Sequence, residues 1–158
     1  MKKISTALGR NLPISTKHSV EICNLIKGKK VERAKTILEG VIAVKVPVPF
    51  KRYNKDVAHK VGIAGGRFPA KASTYILQVL KNAEANASAN GLVTPFVISE
   101  ARATQGARAY KMSRMRGRKS KRTHVYFTIK EEAKKTKEKK VDKGQKTETA
   151  KKTDEANT

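Results

Sequence analysis

Nine lysines and arginines stand between positions 102 and 122, and no aspartate or glutamate stands among them: Arg102, Arg108, Lys111, Arg114, Arg116, Arg118, Lys119, Lys121 and Arg122. The densest part, YKMSRMRGRKSKR at 110–122, holds seven cations in thirteen positions. Guanidinium groups fork onto phosphate oxygens, and neutralising a phosphate backbone supplies most sequence-independent affinity for nucleic acid. A second set, Lys51, Arg52, His59, Lys60 and Arg67, is interleaved with Phe50, Tyr53 and Phe68. Cations set among rings suit a folded RNA, whose splayed bases stack on aromatic and guanidinium planes.

Other chemistries find less support. The histidines His18, His59 and His124 fall in a helix start, a loop and a strand start. There is no HExxH, no GxSxG and no phosphate-loop motif; GIAGGRF at 62–68 is glycine-rich but follows no strand and lacks the closing Lys-Ser/Thr. The body's acids, Glu21, Glu32, Glu39, Asp56, Glu84 and Glu100, are scattered and read mostly as solvated helix surface. The lone Cys23 excludes a disulfide framework and reads as a buried thiol on an apolar helix face. No catalytic residue, metal site or cofactor is expected.

The charge belongs to the part that folds. Of the net +23 on 158 residues, positions 130–158 carry ten Lys and seven acids, a net of +3. Residues 1–129 therefore carry 26 bases and six acids, a net of +20. A body this basic repels itself, and a polyanion partner is the usual reason for one. MKKISTALGR opens with charge, but no apolar run of leader type follows, and no run of apolar residues is long enough to span a bilayer. A cytosolic or nuclear chain without membrane insertion is expected.

The elements that position these cations are legible from periodicity. ISTALGRNLPI suggests an edge strand ending at Pro13, and Ser15 or Thr16 an N-cap for KHSVEICNLIKG. Val20, Ile22, Cys23, Leu25 and Ile26 form that helix's apolar face, with Gly28 as its stop. A second helix follows in VERAKTILEGVIA, with Val31, Ala34, Ile37, Leu38, Val41 and Ile42 at three- and four-residue steps. Residues 44–68 read as an irregular loop, and Pro69 opens a long helix whose buried stripe is Ala72, Ile76, Leu77, Leu80, Ala83 and Ala87. From Leu92 onward the pattern is β: VTPFVISEARA and THVYFTIKE, the latter alternating at Val125, Phe127 and Ile129. The basic stretch joins these two strands, which predicts a hairpin with arms running past the body, ordered by a partner because two strands alone are marginal in water. After Glu132 only Val141 is large and apolar, so that segment is expected to be disordered by itself.

VPFKRYNKDVAHK, GRFPAKASTYILQVLKNAEANASANGL and ISTKHSVEICNLIKGKKVERAKTIL together resemble the large-subunit ribosomal protein L-twenty-two family in its archaeal and eukaryotic form, over roughly residues 5–131. The resemblance implies an α+β fold, three helices packed on a three-stranded antiparallel sheet with a long protruding basic β-hairpin. It implies a ribosomal-protein domain at 1–131, the hairpin at about 102–122, and a charged tail at 132–158. Ser15, Lys17 and Gly28 match the first-helix motif; Arg67, Pro69, Lys71 and Ala72 match the stretch before the long helix. Asn82, Ala83, Asn86 and Ala87 match the long-helix signature, and Arg114, Gly117, Arg118 and Ser120 the hairpin's return. Thr16, Ser113, Met115 and Lys119 depart from the family pattern, Thr16 and Ser113 standing where proline is usual.

The function implied is a structural constituent of the large ribosomal subunit, cytoplasmic, that binds large-subunit ribosomal RNA, aids subunit assembly and contributes its hairpin to the wall of the nascent-peptide exit tunnel. The partners implied are large-subunit ribosomal RNA, neighbouring ribosomal proteins and, at the tip, the nascent peptide; no homo-oligomer is expected. The RNA-contacting set is Arg10, Lys17, His18, Lys51, Arg52, His59, Lys60, Arg67, Lys71, Arg102, Arg108, Lys111, Arg114, Arg118, Lys119, Lys121 and Arg122, with Met112, Met115 and Arg116 facing the tunnel. The runner-up is a free-standing RNA chaperone or non-specific nucleic-acid binder, which uses the same charge without a fixed site. An enzyme acting on RNA ranks third, because it needs a carboxylate or histidine cluster that is not visible here.

Overall fold

The computed structural model describes residues 4–112, 114 and 116–131. Ser113, Met115 and the tail at 132–158 lie outside the described residues, and with them the expectations for Met115 and for the tail. Strand β1 (Ile4–Leu12) leads into helices α1 (Thr16–Ile26) and α2 (Val31–Ile42). A short strand pair, β2 (Val48–Pro49) and β3 (Gly66–Arg67), precedes helix α3 (Ala70–Ala89) and strands β4 (Phe96–Gln105) and β5 (Thr123–Glu131). The class is α+β, as the sequence implied.

The main sheet has the order β1-β5-β4, all neighbours antiparallel, so the last described strand is the central one. Its composition explains the placement. Val125, Phe127 and Ile129 are buried on one face, while His124, Thr128 and Lys130 are half-buried and Tyr126 is exposed on the other. The register of β4 steps from Ile98 opposite Ile129 to Glu100 opposite Thr128, so Ser99 is the extra residue of a β-bulge.

All three helices contribute to one core against that face. Ile22, Cys23 and Ile26 come from α1, Val31, Ala34, Leu38 and Val41 from α2, and Ala72, Ile76, Leu80, Ala83 and Ala87 from α3. Helix α3 packs on β1 and β5, α1 on β4, and α2 on α3. The expected faces hold with adjustments: Val20, Leu25, Ile37, Ile42 and Leu77 are only half-buried, and Val79 joins the core. Helix α3 lies between α2 and the sheet, so its apolar stripe is wider than one row. Gly28 adopts φ 77°, the left-handed stop that a residue without Cβ takes most cheaply. Its N–H donates to Ile98 O (2.9 Å), and Ile98 N donates to Lys29 O (3.0 Å), tying the α1–α2 turn to β4.

Two local readings are corrected. Ser15 occupies the N-cap of α1, but its side chain makes no capping bond; Ser19 Oγ instead donates to Ser15 O (2.9 Å). Thr16 Oγ1 lies 2.9 Å from Thr123 Oγ1, which donates to Ile14 O (2.9 Å), so the hydroxyls tie the helix start to β5. The loop at 44–68 is also less irregular than expected. Val48 pairs with Arg67 and Pro49 with Gly66, and Phe50 N donates to Gly65 O (2.9 Å). Val48 and Phe50 are buried with Pro49 half-exposed between them, an alternation that makes a strand even this short worthwhile.

Candidate nucleic-acid interface

The cation- and ring-bearing loop is anchored by an acid that was expected on the surface. Glu21 is 2 % exposed, and its carboxylate accepts three backbone N–H groups: Tyr53 (2.7 Å) and Arg52 (2.8 Å) at Oε1, and Lys51 (3.2 Å) at Oε2. This corrects the reading of the scattered acids. A buried anion is tolerated only when its lone pairs are met, and three amides meet them here. The side chains of Lys51 and Arg52 are thereby left outside, exposed. The Arg52 guanidinium stands 5.3 Å from the Tyr53 ring centroid, and the Lys60 ammonium 5.9 Å from that of Phe68. Phe50, buried beneath, meets the His18 ring edge-on at 5.3 Å.

Beside this loop lies a cavity of about 400 Å³, lined by Ser15, His18, Phe68, Pro69, Lys71 and Lys121 among others. It brings together the starts of α1 and α3 and the chain just before β5, three segments far apart in sequence. His18 is half-buried there; burial first, then Lys121 and Arg67, hold its pKa below the ordinary value of 6.5. Cys23, by contrast, is simply core: burial pushes its thiol up to about 12, which keeps it neutral and inert.

The connection between β4 and β5, residues 106–122, keeps cross-strand bonds beyond the ends of the strands. Gly106 N donates to Arg122 O (3.0 Å), Ser120 N to Ala109 O (2.9 Å) and Lys111 N to Arg118 O (2.9 Å). Ser120 Oγ donates to the same Ala109 O (2.9 Å), and Lys119 stands 4.7 Å from the Tyr110 ring centroid. The root is clamped: Arg122 Nη1 donates to Asn11 O (3.1 Å), and Asn11 N donates to His124 Nδ1 (3.2 Å). Gly106 packs tightly at this root: a Cβ there would lie 3.0 Å from His124 Nε2 and 3.2 Å from Asn11 Oδ1, so those side chains would have to give way slightly.

The predicted cations fall into distinct sets. Arg108, Lys111, Arg114, Arg116, Arg118, Lys119 and Lys121 are exposed along the connection, as is Met112 at 95 %. Lys51, Arg52, His59, Arg67 and Lys71 are exposed, and Lys60 half-buried, around the loop and the start of α3. Lys17 is exposed in the first turn of α1, and Arg10 near the end of β1. Two behave differently from the rest. Arg102 pairs with Glu100 at 2.5 Å, because alternate residues share one face of a strand, so its charge is partly answered within the protein. Arg122 is half-buried and committed to the clamp. Glu21 is the functional residue missed in the sequence; its one signal is an acid wedged between Val20 and Ile22 in an otherwise apolar helix stretch.

Among the described residues, no group of three His, Cys, Asp or Glu side chains could hold a metal ion. No described helix is long and apolar enough to cross a membrane.

Much of the chain is similar in sequence to known proteins. The family model described as Ribosomal protein L22p/L17e matches residues 7–133. The chain is 49 % identical over 108 residues to the large ribosomal subunit protein uL22 of Archaeoglobus fulgidus, covering 66 % of this chain and 70 % of that protein. It is 55 % identical over 89 residues to the uL22 of Methanosphaera stadtmanae, covering 54 % of this chain and 58 % of the relative. With the uL22 of Methanococcus aeolicus it shares 53 % over 95 residues, 58 % of this chain and 62 % of the relative. For the latter two the matched stretch is under two thirds of the relative's length. The family match begins within β1, runs past the end of β5 and takes in every other element described above, so the chain belongs to the ribosomal protein L22p/L17e family.

Proposed function

We propose that this chain is a non-enzymatic, structural constituent of the large ribosomal subunit, in the cytoplasm, held there by ribosomal RNA. The observation that carries the reading is the connection at 106–122, where seven exposed cations ride on two arms with no acid between them. Family membership and the names of the relatives support it. Such arms repel one another in free solution and are ordered when phosphates neutralise them.

On this reading residues 1–131 form the RNA-docking domain and 132–158 an appendage. Lys17, Lys51, Arg52, His59, Lys60, Arg67 and Lys71 hold the body to RNA, and the hairpin protrudes between RNA segments. Its tip, at Met112, Met115 and Arg116, contributes to the wall of the nascent-peptide exit tunnel. Neighbouring ribosomal proteins and the nascent peptide are the further partners. The chain acts as a single copy and inserts in no membrane.

Crosslinking and mass spectrometry on salt-washed large subunits test this. RNA crosslinks at Arg114 to Arg122, with nascent-chain adducts at the tip, are expected. Crosslinks from the arms to protein alone would overturn the tunnel-wall mechanism. Loss of the chain in the high-salt wash would replace the whole reading with a free-standing RNA binder.

A further inference from the structure

We propose that the cavity between the starts of α1 and α3 and the outgoing end of the basic connection is a seat for one RNA backbone phosphate, shared by His18, Lys71 and Lys121. The proposal rests on the RNA-binding reading above and sharpens it, replacing diffuse attraction at these residues by one position with defined partners.

Three observations carry it. The hollow, about 400 Å³, is far larger than a single water needs and admits a phosphodiester with its flanking sugar atoms. Its charged and titratable lining is cationic or neutral: His18, Lys71 and Lys121, with no carboxylate among the lining residues. Arg67 stands close enough to oppose a proton on His18, as Lys121 does. Its remaining walls are largely apolar, from Ile14, Phe68, Pro69 and Ala72, which lowers the local dielectric and strengthens any ion pair formed inside. The cations thus face a shared hollow and repel one another across it, an arrangement that an anion relieves.

The backbone adds to the same field. Both helices that begin at the cavity lack a side-chain cap and have no acid in their first turn. Their dipoles therefore favour negative charge in the hollow, although the first amide of α3 is already used, Ala70 N donating to Phe68 O (2.9 Å). His18 changes role with occupancy. Empty, the cavity keeps the imidazole neutral; with a phosphate seated, the opposing charges of Lys121 and Arg67 are compensated and His18 takes up a proton to donate to the anion. Glu21, one turn along α1, is committed to the amides of residues 51–53.

A double-mutant cycle on the full chain tests the seat, with large-subunit ribosomal RNA as the probe and filter binding over a series of salt concentrations. Lys71 and Lys121 are exposed, so Lys71→Ala and Lys121→Ala leave the core untouched, and circular dichroism checks the fold. Each single variant weakens binding several-fold, and the double weakens it by less than the product of the two, because both act on one phosphate. The salt slope of the double falls by about 1. Multiplicative losses with a slope change of about 2 would mean two separate phosphates and overturn the proposal. Unchanged binding by the double variant would overturn it too, while leaving the RNA-binding reading intact. Failure of the unaltered chain to bind would instead sink that reading.

The His18 imidazole resonances supply a second readout. At neutral pH they move toward the protonated form on adding the RNA, and this shift is lost in the double variant and restored by Lys71→Arg/Lys121→Arg. A shift with inorganic phosphate that the RNA fails to reproduce would mean a seat for free phosphate only, and would overturn the proposal.

Discussion

Replacing Glu21 by Gln should loosen the loop that displays Lys51 and Arg52 and destabilise the whole domain, and the size of both effects follows from its three amide partners. Hydrogen bonds to an ionised group contribute about 1.5–3 kcal/mol each. Two of the three are short, Tyr53 N at 2.7 Å and Arg52 N at 2.8 Å, and share one carboxylate oxygen; the third, Lys51 N at 3.2 Å, meets the other. Gln keeps one oxygen, which serves the shared pair without its charge, and turns an NH2 toward Lys51 N, donor against donor. The loss comes to about 2–3 kcal/mol, one charge-assisted bond plus the weakening of two. Ala removes all three acceptors and leaves a gap beneath the loop. Exposure of the adjoining Lys51 and Arg52 lets some of the freed amides rehydrate, which holds the cost to about 3–5 kcal/mol rather than the sum of three separate bonds.

In thermal unfolding, Glu21→Gln should therefore lower Tm by roughly 10 °C for a domain of this size. Glu39→Gln, an exposed position on α2 beyond its first turn, serves as control and should change stability by less than about 0.5 kcal/mol. Amide exchange distinguishes the mechanism from general destabilisation. Protection of Arg52 and Tyr53 should fall in Glu21→Gln before that of the core strands, since their bonds open locally. Equal melting of the two variants, or unchanged protection at Arg52 and Tyr53, would refute the reasoning. A more stable Glu21→Ala would do so as well, because it would mean that desolvating the carboxylate costs more than its three bonds return.

Phe127→Ala should cost about 3–5 kcal/mol in chemical denaturation, because the ring is 1 % exposed on the middle strand, where Phe127 pairs with Ala7 of β1 and Ala101 of β4. Gly28→Ala should cost about 1 kcal/mol by the same measurement: open space surrounds the position, and the whole penalty comes from φ 77°. Lowering pH from 7 toward 5 should reduce the Tm of the RNA-free protein, since the unfolded chain protonates His18 near its ordinary value of 6.5 while the fold resists; His18→Gln should flatten that slope, and an unchanged slope would discount the effect of burial, Lys121 and Arg67. Cys23 should react with an alkylating reagent only on unfolding, as it is 1 % exposed with its thiol pushed up to about 12; rapid labelling of the folded chain would contradict that placement.

The sequence by itself determined whatever depends on near neighbours. Ile22 and Ile26, or Ala83 and Ala87, are four apart and so share a helix face whatever they pack on. Gly28 ends α1 through its own backbone freedom, and the alternation of Val125, Phe127 and Ile129 marks a strand with one face to bury. The concentration of charge at 102–122, and hence the class of partner, is likewise a property of the chain before it folds. Only the tertiary structure decided which distant residues meet. Glu21 looks like surface until the loop thirty-odd residues away folds three amides onto it, at separations of 30 to 32 positions. Asn11 and His124, 113 positions apart, clamp the root of the connection only because β1 pairs with β5. The meeting of His18, Lys71 and Lys121 at one cavity is of the same kind. Periodicity reports the orientation of a side chain relative to its own element; which element arrives opposite it is set by how the apolar faces close on one another, and that is a property of the whole chain.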